Sequence, residues 1–437
     1  MVGGEEKSLG SIKPSWLQSK QESSIMVTKQ KAIHPHIDIE ALSVLVETSS
    51  NVIRQARSSM LAPESRKSPP TFNSGRLAEL CGLEMSQVQY LAKKGGLPSG
   101  EREGSTRREW TLTEARQWVR HIKSESLRDP DLSAAATITI ANFKGGVSKT
   151  TTAAALAQGL SLLGHKVLVI DTDPQGSLTT LFGVLPDTEV EDDQTILPLC
   201  TGESDSIMSA VQLTYWDGID LVAAAPILFN AEFLLPARQK TEPDFAFWRV
   251  LDAGLEEARN IYDVIIIDTP PSLSYITINA LIAAEGVVMP LPPNALDFAS
   301  STQFWSLFTE VCSSLFKARE ETKKFSFIDI VLSRVDRADL VSVDVREWIV
   351  AAYGAKVLPI EIPKTSIAAT ASIGFGTVYD LDSSSAQAKT LKRARDAYDQ
   401  LVNHIAAQVS GVWESDIEVG RSLDLKIEAM KKEKGTV

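Results

Sequence analysis

Cysteine is scarce in this chain, and other signals that would assign it to a secreted, membrane or metal-binding class are missing. The 437 residues include only Cys81, Cys200 and Cys312, which are too widely spaced for a CxxC motif or a disulfide framework. No stretch approaches the roughly 20 uninterrupted apolar residues of a membrane span. Acidic residues stand near the start, where a secretion signal needs a basic flank and an apolar run. We therefore expect a protein of the reducing cytoplasm, without membrane contact.

Charge is distributed unevenly along the chain. The net charge is −12, and hydrophobic residues make up 43% of the sequence, as in ordinary globular proteins. Residues 1–130 nevertheless carry 19 Lys and Arg against 15 Asp and Glu, whereas the remainder carries 25 against 41. An acidic body with a basic segment attached indicates that any contact with nucleic acid begins in that segment.

The beginning of the chain predicts a tail and then a helix. Residues 1–36 are polar, without hydrophobic periodicity, and are expected to form a mobile tail. Apolar residues recur at helical spacing over 37–61, which predicts an amphipathic helix. We interpret it as a dimerisation helix; the alternative is a helix packed on its own domain. Proline-rich stretches predict linkers after this helix and again from Asp129 to Ala136.

Residues 72–128 predict a DNA-binding domain. A short helix near Gly75–Leu80, a glycine turn and a second helix over Met85–Lys94 form a helix-turn-helix pattern, and a third helix near Thr113–Lys123 closes the core. The order is similar to a MerR-type winged helix-turn-helix, although small helical domains without DNA-binding function share it. The expected DNA contacts are the outer face of the second helix and two arginines of the wing, namely Ser86, Gln87, Gln89, Tyr90, Lys93, Lys94, Arg107 and Arg108.

A strand, a glycine-rich loop and a helix follow one another over residues 137–163. The loop reads KGGVSKTT at 144–151, and its glycines allow backbone N–H groups to point at an anion at the helix N-terminus. Lys149 is expected to neutralise phosphate charge, and the Thr150 hydroxyl to ligate Mg²⁺. Apolar strands and helices alternate from here on, which predicts an α/β fold with a mostly parallel sheet. The predicted fold is a P-loop NTPase with an N-terminal all-α winged helix-turn-helix domain.

Two more strands end in acidic residues. One ends in Asp171, with Asp173 two residues later, and the other runs through Ile265–Ile267 into Asp268. A carboxylate that ends a buried strand has little structural reason to exist without a cation or polar chemistry.

The KGGVSKTT loop and these segments together resemble the deviant Walker A motif and switch segments of the ParA/MinD class of P-loop ATPases. The resemblance covers residues 137 to about 405 and implies ATP or ADP and Mg²⁺ as cofactors. It implies a catalytic set of Lys144, Lys149 and Asp173, in which Lys144 reaches the phosphates of a partner subunit and Asp173 orients the attacking water. It places Thr150, Asp171 and Asp268 at the metal. The implied nucleotide contacts are Lys144, Gly145, Gly146, Val147, Ser148, Lys149, Thr150, Thr151 and Pro290.

The attached N-terminal segment makes the chain similar to the large, type Ia ParA proteins. That resemblance implies a homodimeric partition ATPase, slow alone, whose ATP form binds non-specific DNA on the nucleoid and is released when a ParB-type centromere-binding protein stimulates hydrolysis. It implies an ADP or nucleotide-free form that binds an operator and represses its own operon. Lys364 matches a region where a basic residue of relatives contributes to DNA binding, and the alternative is a solvated lysine. Lys392, Arg393 and Arg395 form a basic helical cluster, which is either a phosphate-binding patch or an ordinary solvated helix face. The ATPase domain is expected at 137–410, followed by a surface helix or tail at 411–437. The alternative is a nucleotide-switched transcription regulator without a partition role.

Overall fold

The computed structural model describes residues 37–60, 67–103, 107–317, 322–336, 338–339, 341–364, 376–381 and 388–434. The tail expected at 1–36 and most of the first linker lie outside these residues. The chain divides into two units, one ending at Ala56 and one beginning at Arg57, and each is described by itself.

The first unit contains most of a long helix, α1, over Ile39–Met60. The Asp38 carboxylate accepts a hydrogen bond from the Ala41 backbone N–H at 2.8 Å and so caps its first turn. Apolar side chains along the helix are exposed, including Ile39, Leu45 and Val46. The predicted helix is confirmed, and its role in dimerisation stays a prediction.

The second unit begins with a small domain that contains both helices and strands. Its elements are β1 Phe72–Asn73, α2 Ser74–Cys81, α3 Met85–Lys94, β2 Glu101–Glu103, β3 Arg107–Trp110 and α4 Leu112–Ile122. The three strands form an antiparallel sheet in the order β1-β3-β2. The description of this domain as all-α was therefore wrong, because two- to four-residue strands are too short to show alternation. The predicted second helix is confirmed at its exact bounds, and Gly82 turns between α2 and α3 at a φ of 67°.

An eight-stranded sheet follows, and its strands are parallel except at one edge. They are β4 Ala136–Ile140, β5 Val167–Asp171, β6 Gln212–Leu213, β7 Ile219–Val222, β8 Val264–Asp268, β9 Gly286–Leu291, β10 Phe327–Val335 and β11 Val357–Pro363. Their order is β11-β10-β9-β4-β8-β5-β7-β6, with only β6 antiparallel to its neighbour. The predicted mostly parallel sheet is confirmed. Strand β4 leads into the glycine-rich loop at 144–151, which we call the phosphate loop. Because β4 lies in the middle of the sheet, the ends of neighbouring strands surround this loop.

Helices cover both faces of this sheet. They are α5 Lys149–Leu162, α6 Ser177–Leu181, α7 Leu197–Thr201, α8 Ala231–Thr241, α9 Val250–Gly254, α10 Glu256–Ile261, α11 Tyr275–Ala283, α12 Ala295–Phe316, α13 Val341–Tyr353 and α14 Ala388–Lys434. One hydrophobic cluster packs α5 and α14 on the sheet and extends into the small domain through Trp118 of α4. A second cluster packs α11 and α12 on the opposite face.

The last helix is longer than the sequence predicted. The boundary expected between residues 410 and 411 falls inside α14, which continues from Ala388 to Lys434. Val409, Val412 and Trp413 are buried in the cluster that contains α5. This burial stabilises the helix across the expected boundary, since helices in proteins owe most of their stability to the packing of an apolar face.

Candidate nucleotide site

The phosphate loop bends sharply into α5. Gly146 has a φ of 75° and Ser148, the N-cap of α5, a φ of 76°. The second value is unusual because a side chain disfavours the left-handed region, which glycine enters freely. Lys149 is 93% buried, and its Nζ atom donates to the Lys144 carbonyl at 3.1 Å. The loop therefore curls around its own lysine at the N-terminal end of a 14-residue helix.

Distant residues hold the loop in this shape. The Asn142 side chain accepts from the Lys144 backbone N–H at 3.1 Å and donates to the Pro290 carbonyl at 2.8 Å. The Ser333 hydroxyl donates to the Val147 carbonyl at 2.9 Å, and Arg334 donates to the Gly146 carbonyl at 2.5 Å. Sequence reasoning missed all three side chains. The available signal was that Ser333 and Arg334 stand at the carboxyl end of a strand, where parallel α/β sheets form their sites.

Two strand-end carboxylates stand opposite each other beneath the loop. Asp171 and Asp268 are register partners across β5 and β8, and both are fully buried. The Asp171 carboxylate accepts bonds from the backbone N–H and the hydroxyl of Thr179, both at 2.8 Å, and from the Asp173 N–H at 3.1 Å. Burial nevertheless raises the pKa of Asp171 to about 7. Asp171 is thus held by its own chain, and its place in a metal shell stays a prediction.

Asp268 differs from its neighbour because its carboxylate is not satisfied. Neither oxygen has a well-formed hydrogen bond within the described part of the chain. Burial and then the nearby Asp171 raise the pKa of Asp268 well above its usual range, although the Thr150 hydroxyl and the Lys149 ammonium oppose the shift. Burial also lowers the pKa of Lys149. A buried, unpaired carboxylate is costly unless another group completes it.

Lys144 contacts an acid of its own chain. Its Nζ atom lies 2.6 Å from an oxygen of Asp297, which is buried in the first turn of α12. Both residues line a cavity of about 340 Å³ beside the phosphate loop. Sequence reasoning missed Asp297, which lies 153 residues after Lys144.

Pro290 does not line this cavity. It is buried inside β9, where its carbonyl accepts the Asn142 amide, whereas Pro292 and Pro293 line the cavity. Asp173 is half-buried at the edge of the site, and its carboxylate accepts from the Gln175 backbone N–H at 3.0 Å. The structure therefore brings 144–150, Asp171, Asp173 and Asp268 to one edge of the sheet and leaves Pro290 beneath it.

The predicted DNA contacts in the small domain are exposed on one helix. On α3, Ser86, Gln89, Tyr90, Lys93 and Lys94 are solvent-exposed. Gln87 is exposed as well, but its side chain accepts the Glu84 backbone N–H at 2.8 Å as part of a capping box.

The two wing arginines are placed differently from that helix. Arg108 donates to the Ser99 carbonyl at 2.5 Å and so braces the wing. The side chain of Arg107 lies outside the described residues.

The predicted basic residues of the larger domain divide into two groups. Lys364, Lys392 and Arg393 line one groove of about 730 Å³, together with Lys389. Lys364 lies 3.6 Å from Asp336 and remains exposed. Arg395 points elsewhere, because its guanidinium donates to the carbonyls of Val378 and Leu381. The groove therefore keeps three of the four predicted basic residues and adds Lys389.

None of the helices that the structure describes is both long and apolar enough to cross a membrane.

Comparisons with known proteins agree with this geometry. A family model described as an AAA domain matches residues 135–319. Protein SopA of Escherichia coli K12 is 28% identical over 329 residues, which cover 73% of this chain and 83% of SopA. The chromosome partitioning protein ParA of Caulobacter vibrioides is 33% identical over 264 residues, covering 59% of this chain and 92% of that protein. A solved structure of a partition protein superposes with a TM-score of 0.60 at 16% sequence identity. The match covers 85% of this chain and 98% of that protein's chain, and it supports the fold.

The strand, curled loop and helix, with Lys149 buried at the loop and a strand-end acid beneath it, define a P-loop NTPase of the deviant Walker A type. Within that class, the chain belongs to the ParA family of partition ATPases, and its relatives support a partition role.

Proposed function

We propose that this chain is an ATP-hydrolysing partition protein whose nucleotide state controls how it binds DNA. The ATP-bound homodimer binds non-specific DNA on the nucleoid. A ParB-type centromere-binding partner stimulates an otherwise slow, Mg²⁺-dependent hydrolysis and releases the protein. The ADP or nucleotide-free form binds an operator through the winged helix-turn-helix domain at 72–128 and represses its own operon.

The observation that carries the proposal is the incomplete charge balance at the phosphate loop. Asp268 is a fully buried carboxylate without a well-formed hydrogen bond among the described residues, and the Thr150 hydroxyl and the Lys149 ammonium are near enough to act on its pKa. Mg²⁺ in nucleotide sites takes few protein oxygens and completes its shell with phosphates and water. Asp268, Thr150 and Lys149 therefore fit Mg²⁺ bound together with a nucleotide phosphate.

Each residue of the site has a proposed role. The backbone N–H groups of 145–151 and the N-terminus of α5 hold the phosphates, and Lys149 neutralises their charge. Thr150 and Asp268 hold Mg²⁺, directly or through water, and Asp171 fixes the neighbouring strand end. When bound, the metal neutralises charge on the phosphates. Asp173 orients the attacking water, and Lys144 exchanges Asp297 for the phosphates of the partner subunit.

Two exposed surfaces support the DNA-binding part of the proposal. The α3 face presents Tyr90, Lys93 and Lys94 for the operator, as a recognition helix does. The groove of Lys364, Lys389, Lys392 and Arg393 is also lined by Asp336, Glu361 and Asp396. Its basic side chains outnumber the acidic ones and so supply positive charge for non-specific DNA on a chain whose net charge is −12. The exposed apolar residues of α1 supply a surface for the homodimer.

A gel-shift titration on a random-sequence duplex tests this function. It is run with ATP and Mg²⁺, with ADP and Mg²⁺, and with no nucleotide. We expect shifted DNA only with ATP. The groove variant Lys392→Ala with Arg393→Ala should lose the shift yet still bind a fluorescent ATP analogue, and Lys356→Ala, an exposed lysine outside the groove, serves as its matched control.

The outcomes separate the two candidate functions. DNA binding that is indifferent to nucleotide, together with normal ATP hydrolysis, would contradict the partition cycle and favour a transcription regulator. Hydrolysis that the cognate ParB-type protein fails to accelerate would contradict the partner-stimulated step alone.

A further inference from the structure

The end of α5 that lies away from the phosphate loop is capped by arginines of the small domain. Arg116 of α4 donates from Nε to the Ser161 carbonyl at 3.0 Å and from Nη2 to the His165 carbonyl at 2.9 Å. Arg120, one turn further along α4, donates to the Gly164 carbonyl. These carbonyls belong to the last turn of α5 and the residues after it, where helix carbonyls lack partners and carry partial negative charge.

Arg116 is built into this junction. The residue is 93% buried, and its Nη1 atom lies 2.5 Å from an Asp217 oxygen. Gly218 leaves the space for it, because a Cβ atom at that position would lie 1.9 Å from the Arg116 Cζ atom. A guanidinium with three oriented acceptors allows little sliding between α4 and α5.

A second polar contact joins the small domain to the middle of the same helix. Lys67, which precedes β1, lies 3.3 Å from Asp380 and also donates to the Leu181 carbonyl at 2.5 Å. Asp380 accepts a bond from Gln158 of α5 at 3.2 Å. Gln158 is fully buried, so α5 is held by the small domain's flank as well as by α4.

The phosphate loop and the small domain thus contact opposite ends of one rigid element. An α-helix of 14 residues is about 21 Å long and transmits a displacement along its axis. We propose that Arg116 is a positioning residue that couples nucleotide binding at the loop to the ordering of the winged helix-turn-helix domain. The inference rests on the proposed nucleotide binding and adds the route by which the operator-binding domain senses it. By linkage, DNA bound to that domain changes nucleotide affinity by the same factor.

Hydrogen–deuterium exchange of the full chain, with and without Mg²⁺ and ADP, tests this coupling. In the wild-type protein, ADP should slow exchange at the first turn of α5 and in α4, the latter about fivefold, as expected for modest allosteric coupling. In the Arg116→Met variant, slowing at the first turn of α5 should persist and slowing in α4 should fall below about twofold.

Arg238→Met is the matched control. Arg238 also donates to carbonyls near a helix end, those of Leu199 and Cys200, but it contacts neither α4 nor α5. This variant should keep the wild-type pattern. If Arg116→Met does not fold, Asp217→Asn replaces it, because it removes the charge partner of Arg116 and keeps the shape of the side chain.

The outcomes are distinguishable. If ADP protects the loop and α4 does not respond, or if α4 still responds in the Arg116 variant, the coupling route is wrong and nucleotide binding stands. If ADP protects neither region and a fluorescent ADP analogue does not bind, the proposed nucleotide site is wrong, and the coupling falls with it.

Discussion

The two ends of α5 are opposites in their electrostatics. At the C-terminal end, Arg116 and Arg128 are buried and fully engaged, the first with Asp217 and backbone carbonyls and the second with Asp263. At the N-terminal end, Asp268 is buried without a well-formed hydrogen bond in the described chain. The buried charges at the C-terminal end have their partners within the folded chain, whereas the buried carboxylate at the N-terminal end lacks well-formed hydrogen bonds.

The difference separates structural from functional charge. A buried ion pair with its hydrogen bonds satisfied holds two parts of the chain together, and its loss leaves an unpaired charge. A buried charge that the fold leaves unsatisfied reduces stability and persists only where a ligand completes it. Substitutions at the two ends should therefore have opposite effects on stability, and only those at the N-terminal end should remove a direct contact to the nucleotide or its metal.

The largest effect is expected from Lys149→Ala. This variant removes the buried ammonium at the loop, so affinity for ATP and ADP should fall about 100-fold or more, since charge-assisted bonds to phosphate are among the strongest. Titration with a fluorescent nucleotide analogue measures the change. Lys166→Ala, a lysine at the opposite edge of the sheet that stacks on Tyr262, is the control and should bind normally. Unchanged affinity in the Lys149 variant would refute the phosphate loop.

Asp263→Asn and Asp268→Asn compare the two ends directly. Asp263 accepts from Arg128 at 3.2 Å and from the Lys166 backbone N–H at 2.8 Å, so its neutralisation should reduce the free energy of unfolding by about 1.5–3 kcal/mol, as expected when hydrogen bonds to a charged group are weakened. Asp268→Asn should instead increase it by about 1–2 kcal/mol in nucleotide-free protein at neutral pH, because the burial that raises the pKa of Asp268 makes its ionised form costly and an amide carries no such cost. Urea denaturation measures both.

With Mg²⁺ and ADP bound, the wild-type protein should have a higher free energy of unfolding than Asp268→Asn, the reverse of their order without nucleotide. The ligand should stabilise the wild-type protein and Asp263→Asn strongly and Asp268→Asn only weakly. A nucleotide-free Asp268→Asn protein that is less stable than wild type would show that this carboxylate is structural, and the contrast between the two ends would fail.

The pH dependence of stability tests the same end of the helix. Burial raises the pKa of Asp171 to about 7, whereas the unfolded chain titrates near an ordinary value of about 4. Between these values the folded protein holds a proton that the unfolded chain releases, so this group's contribution to stability is lost as the pH rises towards 7. The stability of Asp171→Asn relative to the wild-type protein should therefore increase by roughly 3 kcal/mol between about pH 5 and about pH 8, since each pH unit below the folded pKa contributes about 1.4 kcal/mol. Equal pH profiles of the two nucleotide-free proteins would contradict the prediction.

Sequence patterns predicted those parts of the site that are contiguous in the chain. The KGGVSKTT loop needs a strand before it and a helix after it, and both signals are local. Apolar runs ending in Asp171 and Asp268 predicted two strands, and both strands are present and end at those residues. The parallel sheet followed, because such strands alternate with helices.

The remaining parts depend on contacts between distant residues. Ser333 and Arg334 contact the loop across more than 180 residues. Their position at a strand end indicates the edge of the sheet where a site forms, but it does not indicate which loop they contact. The stretch after residue 128 reads as a linker by its composition. Arg128 instead anchors it, because its guanidinium donates to the carbonyls of Ser133 and Asn260 as well as to Asp263. The docking of the small domain could not be predicted for the same reason.

The smallest effect is expected from Ser148→Gly, at the one loop position where the residue and its backbone conformation disagree. Ser148 has a φ of 76°, which costs an L-residue roughly 1–2 kcal/mol, while glycine in the unfolded chain has about 0.5–1 kcal/mol more entropy to lose. The variant should therefore be more stable by up to about 1 kcal/mol, with nucleotide affinity unchanged or slightly higher. Thermal unfolding with and without ADP measures both quantities, and Ser161→Gly in the last turn of α5 is the control, which should be destabilised. If Ser148→Gly loses stability, the serine side chain makes a contribution at the loop that outweighs its strain, and the N-terminal end of α5 is less incomplete than the unpaired Asp268 indicates.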